Sequence, residues 1–346
     1  MRGTASNPAP SGLILLNKEP GETSFQSLGR VKKHLSTTKA GHTGTLDKFA
    51  SGLLLVLAGR ALKLAPWFSS RDKVYEAEVL FGEETDTLDP EGTVIARAAP
   101  PDQKNLEAVL SRFRGEIRQR PPAYSALHVG GKRAYELARA GAAVEPDERP
   151  VTVYALRLLS YENPVARIRV HCSSGTYIRS LARDIARAAG SRARLAALKR
   201  TRVAAFRLED AVTITREGVI TGNAGYGDAG NGEGTAQAGA LMPINADIFS
   251  RLGIPAVETD GNTAARLLQG RPLAAFADTA FADTAFSDTA FADTAFADSG
   301  KTAAVFGPGG VFIALLERTA GGWKYGYVNT VPVNAGTANA ASGGGA

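Results

Sequence analysis

The apolar positions of this 346-residue chain change their period several times, and each change marks an element. Residues 12–16 (Gly-Leu-Ile-Leu-Leu) run apolar into Asn17-Lys18-Glu19-Pro20-Gly21, the pattern of a buried strand entering a turn. Phe25, Leu28, Val31 and Leu35 then recur at helical spacing, with Thr23 or Ser24 as the cap. Residues 39–48 are polar and punctuated by Gly, which predicts a loop, and residues 50–64 are apolar and helix-compatible. Residues 74–81 alternate, placing Tyr75, Ala77, Val79 and Phe81 on one face of a half-buried strand. An acidic loop follows over 82–92. Helices are then expected at 106–113 and 135–140, and strands at 151–161 and 166–172. Ile178, Leu181, Ile185 and Ala189 make a stripe that stops at Gly190, a helix terminus. Arg179, Arg183 and Arg187 follow at i, i+4 and i+8 on another face, so this helix is expected to pack with one side and present guanidinium groups with the other.

The later chain is less regular. Residues 221–240 are rich in Gly, Ala and Asn, which suits a linker, and residues 276–299 repeat Ala-Phe-Ala-Asp-Thr with a period of five. That period matches neither helix nor strand, so little structure is specified there. Residues 267–273, 311–317 and 323–328 read as pieces of a small β-rich domain. The expected organisation is a flexible N-terminus over 1–11, a main domain over 12–211, a linker over 212–240, a second domain over 241–333 interrupted by the repeat at 274–299, and a disordered tail over 334–346. The element pattern is that of an α+β protein.

Composition narrows the class. Forty Lys+Arg against thirty-four Asp+Glu leave a net charge of +6, and 44% of residues are hydrophobic, as in a globular chain. No apolar run approaches the ~20 residues of a membrane helix, and residues 1–11 lack the apolar core of a signal peptide. The lone Cys172 excludes an intramolecular disulfide, and four scattered histidines form no zinc pattern. A cytoplasmic protein without metal or organic cofactor is expected. Nine basic residues (Arg179, Arg183, Arg187, Arg192, Arg194, Lys199, Arg200, Arg202 and Arg207) crowd one stretch in which Asp184 is the only acid before Glu209. Such a stretch is either a footprint for phosphates or a solvated face.

The most unusual segment is Gly41-His-Thr-Gly-Thr-Leu-Asp47, in front of Ala50-Ser-Gly-Leu-Leu54. Its glycines permit close approach to a ligand, and its aspartate stands between a polar loop and an apolar run. Asp47 is either a held, chemically active carboxylate or the cap of a helix beginning near Lys48. The spacing of a phosphate-binding P-loop is absent.

These residues resemble the signature of the TruB family of tRNA pseudouridine synthases. Four other stretches resemble that family in the same order: Lys18-Glu-Pro-Gly-Glu-Thr-Ser24, Tyr75 in Lys-Val-Tyr-Glu-Ala, Arg120-Pro-Pro-Ala-Tyr-Ser-Ala-Leu127 with Gly131-Lys-Arg-Ala-Tyr135, and Cys172-Ser-Ser-Gly-Thr-Tyr-Ile-Arg179. The likeness spans residues 12–206. The family's Pro-Leu after the aspartate is replaced here by Lys48-Phe49, and the pentapeptide repeat has no counterpart. The resemblance implies a mixed, largely antiparallel sheet with flanking helices and a PUA-like C-terminal domain. It also implies isomerisation of uridine 55 in the tRNA T arm to pseudouridine, after the base is flipped from its stack.

By the same resemblance Asp47 is the essential carboxylate, nucleophile or base. Tyr75 stacks on the uracil, and Arg179 keeps Asp47 ionised and oriented. His42 is the wedge that fills the gap left by the base, with packing of the loop as its alternative. Lys18, Gly44, Thr45, Tyr177 and Leu198 complete the substrate-binding set. tRNA is the expected partner, with no membrane, no obligatory protein partner and a monomeric state. A synthase acting on another RNA, or a non-catalytic tRNA-binding or folding protein, are the alternatives.

Overall fold

The computed structural model describes residues 10–125, 127–129, 131–133, 146–215, 217–222, 240–270, 302–319 and 322–329. The pentapeptide repeat, the 135–140 helix, most of the 212–240 segment and the termini lie outside these residues. Two compact units divide at Ile244/Asn245.

In the first unit, β1 (Gly12–Lys18), β2 (Ala40–His42), β3 (Ser51–Ala58), β4 (Lys73–Phe81), β7 (Gly115–Gln119), β10 (Arg149–Glu162), β11 (Val165–Cys172), β12 (Ala193–Val203) and β13 (Phe206–Arg207) form one sheet. Two short hairpins, β5 (Glu83–Thr85) with β6 (Val94–Arg97) and β8 (His128–Val129) with β9 (Lys132–Arg133), stand apart from it. The sheet order is β1-β3-β12-β4-β11-β10-β7, with β2 on β3 and β13 on β12. Every pairing is antiparallel except β12 with β3. The helices are α1 (Ser24–His34), α2 (Ala65–Ser69), α3 (Gln103–Leu110) and α4 (Ile178–Ala188).

The patterns explain most of these elements. Thr23 caps α1, accepting from Gln26 N at 3.2 Å while the Gln26 side chain accepts from Thr23 N at 2.8 Å, a reciprocal capping box. Tyr75, Ala77, Val79 and Phe81 are buried, as their alternation required. On α4, Ile178, Leu181 and Ile185 enter the core. Gly190 ends the helix at φ +75°, its N–H reaching Arg187 O at 3.1 Å while Ser191 N–H reaches Ala186 O at 2.8 Å.

Two expectations are corrected. The segment 39–48, read as a loop, opens with strand β2 (Ala40–His42), which pairs with β3. Residues 50–64 are not helical from their start: β3 occupies Ser51–Ala58, and a 3-10 turn follows over Gly59–Leu64. β3 lies between β1 and β12 and is buried on both faces, so its apolar run carries no alternation to distinguish strand from helix. Gly52 fits the strand where β12 crosses closest. Its φ is +104°, and a Cβ there would lie 2.3 Å from Arg200 O. The ends of the Gly/Asn-rich segment also have structure. Asn17 N bonds Val212 O, Leu13 and Met242 exchange both backbone bonds, and β14 (Thr213–Ile214) pairs with β15 (Ile220–Thr221). Val212, Ile214 and Ala240 join the core of the first unit.

In the second unit, β16 (Ala256–Glu258) runs parallel to β17 (Thr302–Gly307), and β18 (Val311–Thr319) and β19 (Gly322–Val328) extend the sheet antiparallel. Helices α5 (Ala246–Arg251) and α6 (Gly261–Leu268) accompany it, and Val257, Leu267, Val305, Ile313 and Leu316 are in its core. No helix among the described residues is long and apolar enough to cross a membrane.

Candidate active site

The Gly41–Asp47 loop leaves β2 and returns into β3, held almost entirely through its backbone. Thr43 N donates to Leu55 O at 3.0 Å. Ser24 Oγ, at the start of α1, both donates to Leu46 O and accepts from Leu46 N, each at 2.9 Å. Arg200, buried in β12, donates from Nη2 to Gly44 O at 3.0 Å and from Nε to Leu53 O at 2.8 Å. Lys18 is wholly buried and gives its ammonium to Ala50 O at 2.5 Å and Glu19 O at 3.0 Å. Burial pushes its pKa down to about 8. These carbonyls hold the ammonium where its charge acts on Asp47 and lowers the pKa of that carboxyl.

No helix begins at Lys48, so Asp47 is not a cap; β3 starts at Ser51. The Asp47 carboxylate meets Arg179, whose Nη2 donates to Oδ1 at 3.0 Å and whose Nε lies 2.9 Å from Oδ2. Arg179 is in the first turn of α4, and only 5% of its side chain is exposed against 36% for Asp47. Its Nη1 donates to Thr87 O at 2.8 Å and to Asp89 Oδ2 at 3.2 Å, and Nη2 donates to Tyr124 O at 3.0 Å. Asp89 is itself buried, with Thr87 Oγ1 and Glu91 N donating to its Oδ1. One guanidinium is therefore shared by two carboxylates from two different loops.

That sharing changes the expected electrostatics. Arg179 pulls the pKa of Asp47 down, but desolvation is the larger effect and Asp89 adds to it, so the carboxyl rests above its ordinary value. Tyr75 is buried on β4 in register with Arg200, and burial raises its phenol; Arg200 opposes that shift, and the charge of Asp47 adds to it. His42 ends β2 with Nδ1 buried and unpartnered, and burial followed by Arg200 lowers its pKa, favouring a neutral ring. Thr45 is exposed on the loop and Leu198 is packed beside Ala77. Tyr177 precedes α4. Gln119 clamps its backbone, donating to its carbonyl at 3.0 Å and accepting from its N–H at 2.8 Å, while Arg149 lies over its ring.

The departure at Lys48-Phe49 has a structural outcome. Lys48 reaches Glu91 at 3.0 Å, beside the Asp89 segment, and Phe49 packs on the core. Cys172 is buried with its thiol pushed up to about 12, as befits a structural residue. No group of three or more potential metal ligands occurs among the described residues.

The basic stretch reads differently in three dimensions. Arg187 pairs with Glu84 at 2.6 Å, Arg194 with Glu83 at 3.0 Å, Arg202 with Asp72 at 3.2 Å, Arg183 with Asp184 at 2.8 Å and Arg207 with Glu209 at 3.0 Å. Arg179 and Arg187 of α4 thus meet acids of the β5–β6 hairpin and its loop, while Arg183 pairs with Asp184 on its own helix. Much of the supposed phosphate footprint is neutralised within the fold. Asp89 and Arg200 were not recognisable as site residues in the sequence: the first sits in an ordinary acidic loop, the second in that basic stretch.

Comparison with known proteins identifies the family. The TruB family pseudouridylate synthase N-terminal domain matches residues 32–178. Among curated relatives, tRNA pseudouridine synthase B of Borreliella burgdorferi is 47% identical over 203 residues, covering 58% of this chain and 72% of the relative. That of Bordetella avium is 51% identical over 208 residues, covering 59% and 85%, and that of Aromatoleum aromaticum is 42% identical over 265 residues, covering 76% and 81%. Among solved structures, the fold resembles a Cbf5-Nop10-Gar1 complex (TM-score 0.59, 23% identity, covering 90% of this chain and 79% of that one). It also resembles an H/ACA RNP bound to a substrate RNA containing 2′-deoxyuridine (TM-score 0.56, 21% identity, covering 92% and 86%). With a matching domain over the loop and the strands behind it, and relatives followed over most of their length, the chain belongs to the TruB family of pseudouridine synthases.

Proposed function

We infer that this protein is an isomerase that converts uridine to pseudouridine in tRNA, and we propose uridine 55 of the T arm as its target. The observation that carries the chemistry is Asp47, on a backbone-pinned loop, with its carboxylate on a buried Arg179 and open to solvent over about a third of its surface (36%). The target base leaves its stack, at a cost of a few kcal/mol that a loop nucleotide keeps low. His42 is proposed to occupy the vacated position, a role suited to a neutral ring. The N1–C1′ bond then breaks, the uracil turns over, C5 bonds C1′, and C5 gives up its proton.

Asp47 serves as nucleophile at the sugar or as base toward it, and both routes need the ionised carboxylate. Arg179 is a positioning residue in this scheme: it fixes the carboxylate and favours its charged form. Tyr75, buried behind the loop, is proposed to stack on the uracil and assist loss of the C5 proton. Gly44 and Thr45 border the substrate, Leu198 walls the pocket, and Tyr177 sets the start of α4 so that Arg179 reaches Asp47. Lys18 is proposed to act at the substrate site through its charge, which lowers the pKa of Asp47. Action as a monomer in the cytoplasm, without a protein partner, belongs to the same proposal.

The test is to incubate T-arm stem-loop RNA with parent and Asp47→Asn proteins and map pseudouridine by position. Product at the T-loop uridine from the parent, none from Asp47→Asn, and comparable RNA affinity for both is the expected result. Equal product from both would refute the assignment; product only at other uridines would refute the position.

A further inference from the structure

The large sheet has a second face, away from Tyr75. Val74 alternates with Tyr75 on β4; in register beside Val74 lie His171 of β11 and Arg202 of β12, and Ala155 of β10 lies beside His171. On this face Arg157, Arg169, Arg202, Arg207, His171 and Glu209 line a cavity of about 360 Å³, a size typical of small-ligand sites. Four arginines face a single glutamate, and Glu209 is already paired with Arg207 at 3.0 Å. Asp72 takes His171 at 2.6 Å and Arg202 at 3.2 Å.

Two charges are left over. Arg157 and Arg169 are direct cross-strand partners, both exposed, and neither makes an ion pair or hydrogen bond among the described residues. Glu76, in register with Arg169 and Lys199, is the remaining acid of this region and pairs with neither. Like charges directly opposite on adjacent strands are destabilising, and an anion between them reverses the sign. In the same cavity Arg202 Nε is buried without a partner.

An aromatic platform adjoins these cations. The β10–β11 register shifts between Val153 and Ala155, so Tyr154 is the extra residue of a bulge, and a bulge re-aims its side chain. Tyr154 is 41% exposed, and its ring centroid lies 4.9 Å from that of His171. Unpaired arginines beside an exposed aromatic ring are the combination that holds single-stranded nucleic acid: cations for phosphates, a ring for a base.

We propose that this face is a second RNA site, taking a single-stranded phosphodiester segment with a phosphate between Arg157 and Arg169 and a base on Tyr154. It rests on the reading that the chain works on RNA, and it lies on the opposite side of the sheet from Tyr75.

The experiment uses the full chain saturated with unlabelled T-arm stem-loop and follows a fluorescein-labelled 12-mer oligocytidylate by anisotropy. The parent should still bind the oligonucleotide. Arg157→Ser/Arg169→Ser should weaken it at least about tenfold and flatten the salt slope of log Kd by about 1–2. Arg157→Lys/Arg169→Lys should keep most of the affinity, because lysine still supplies point charges. Tyr154→Ala should weaken binding about fivefold or more with an unchanged slope. The single-turnover rate on saturating stem-loop should stay at the parent value in all three. Displacement of the oligonucleotide by stem-loop, or parental binding by the double serine variant, would overturn the proposal. So would loss of a fluorescent ATP analogue with RNA binding intact, which would assign the cavity to free nucleotides. Because the readout is binding, a parent that makes no pseudouridine would sink the proposed function and leave this result standing.

Discussion

Replacing Arg179 by lysine keeps one positive charge and removes the planar fork that joins three segments. The guanidinium makes five contacts: Thr87 O, Asp89 Oδ2, Tyr124 O and both oxygens of Asp47. Four of these contacts are hydrogen bonds; a lysine ammonium has three donors at a single point, so at least one fails. At about 1.5–3 kcal/mol for each hydrogen bond to a charged group, Arg179→Lys should cost at least about 1.5–3 kcal/mol, a sizeable share of the ~5–15 kcal/mol that holds a typical domain. Urea unfolding should show it as a midpoint lowered by at least about 0.5–1 M, with m near 3 kcal/mol per M. The single-turnover rate should fall about 100-fold, the usual effect of a displaced reactive group. A purely structural arginine would leave the pH dependence alone, whereas this one opposes the rise in the pKa of Asp47. The acid limb of the rate should therefore move upward in Arg179→Lys, where the charge no longer sits against both carboxylate oxygens. A lysine variant with parental stability, rate and pH profile would refute the reasoning.

Other outcomes follow from the same geometry. Asp89 is one of the causes that raise Asp47, so Asp89→Asn should move the acid limb downward, read from single-turnover rates between pH 4 and 8. A carboxyl whose folded pKa is raised contributes stability below its ordinary value, about 4, and loses it as pH rises through the folded one. Asp47→Asn, which mimics the protonated form, should thus unfold in urea at pH 7 no earlier than the parent. Gly52→Ala brings a Cβ to 2.3 Å from Arg200 O at φ +104°; it should cost more than about 2 kcal/mol in urea unfolding, beyond the range of an ordinary surface change. Lys48→Ala breaks an exposed ion pair worth under about 1 kcal/mol, and the rate should stay within a few fold. Cys172 should be silent to a thiol reagent in the native protein and react once in strong denaturant, as a mass shift would show.

The chain alone carried the alternation of β4, the cap of α1, the stop of α4 at Gly190 and the loop ending at Asp47, because each is a local consequence of period or turn chemistry. It did not distinguish β3 from a helix, since a strand buried on both faces has no polar side to show its period. Nor did it reveal the destinations of the arginines. Between Arg179 and Arg207 the local sequence offers Asp184 as the one acid, yet Asp47, Asp72, Glu83, Glu84 and Asp89 arrive from more than eighty residues away. Whether a positive charge is available to RNA or is used inside the protein depends on which carboxylate the fold brings within about 4 Å, and no local pattern encodes that distance. The loop that carries the proposed reactive aspartate, Asp47, is therefore legible in the sequence. The shared arginine of Asp47, its raised pKa and the two arginines on the other face of the sheet that have no partner among the described residues are properties of the tertiary structure.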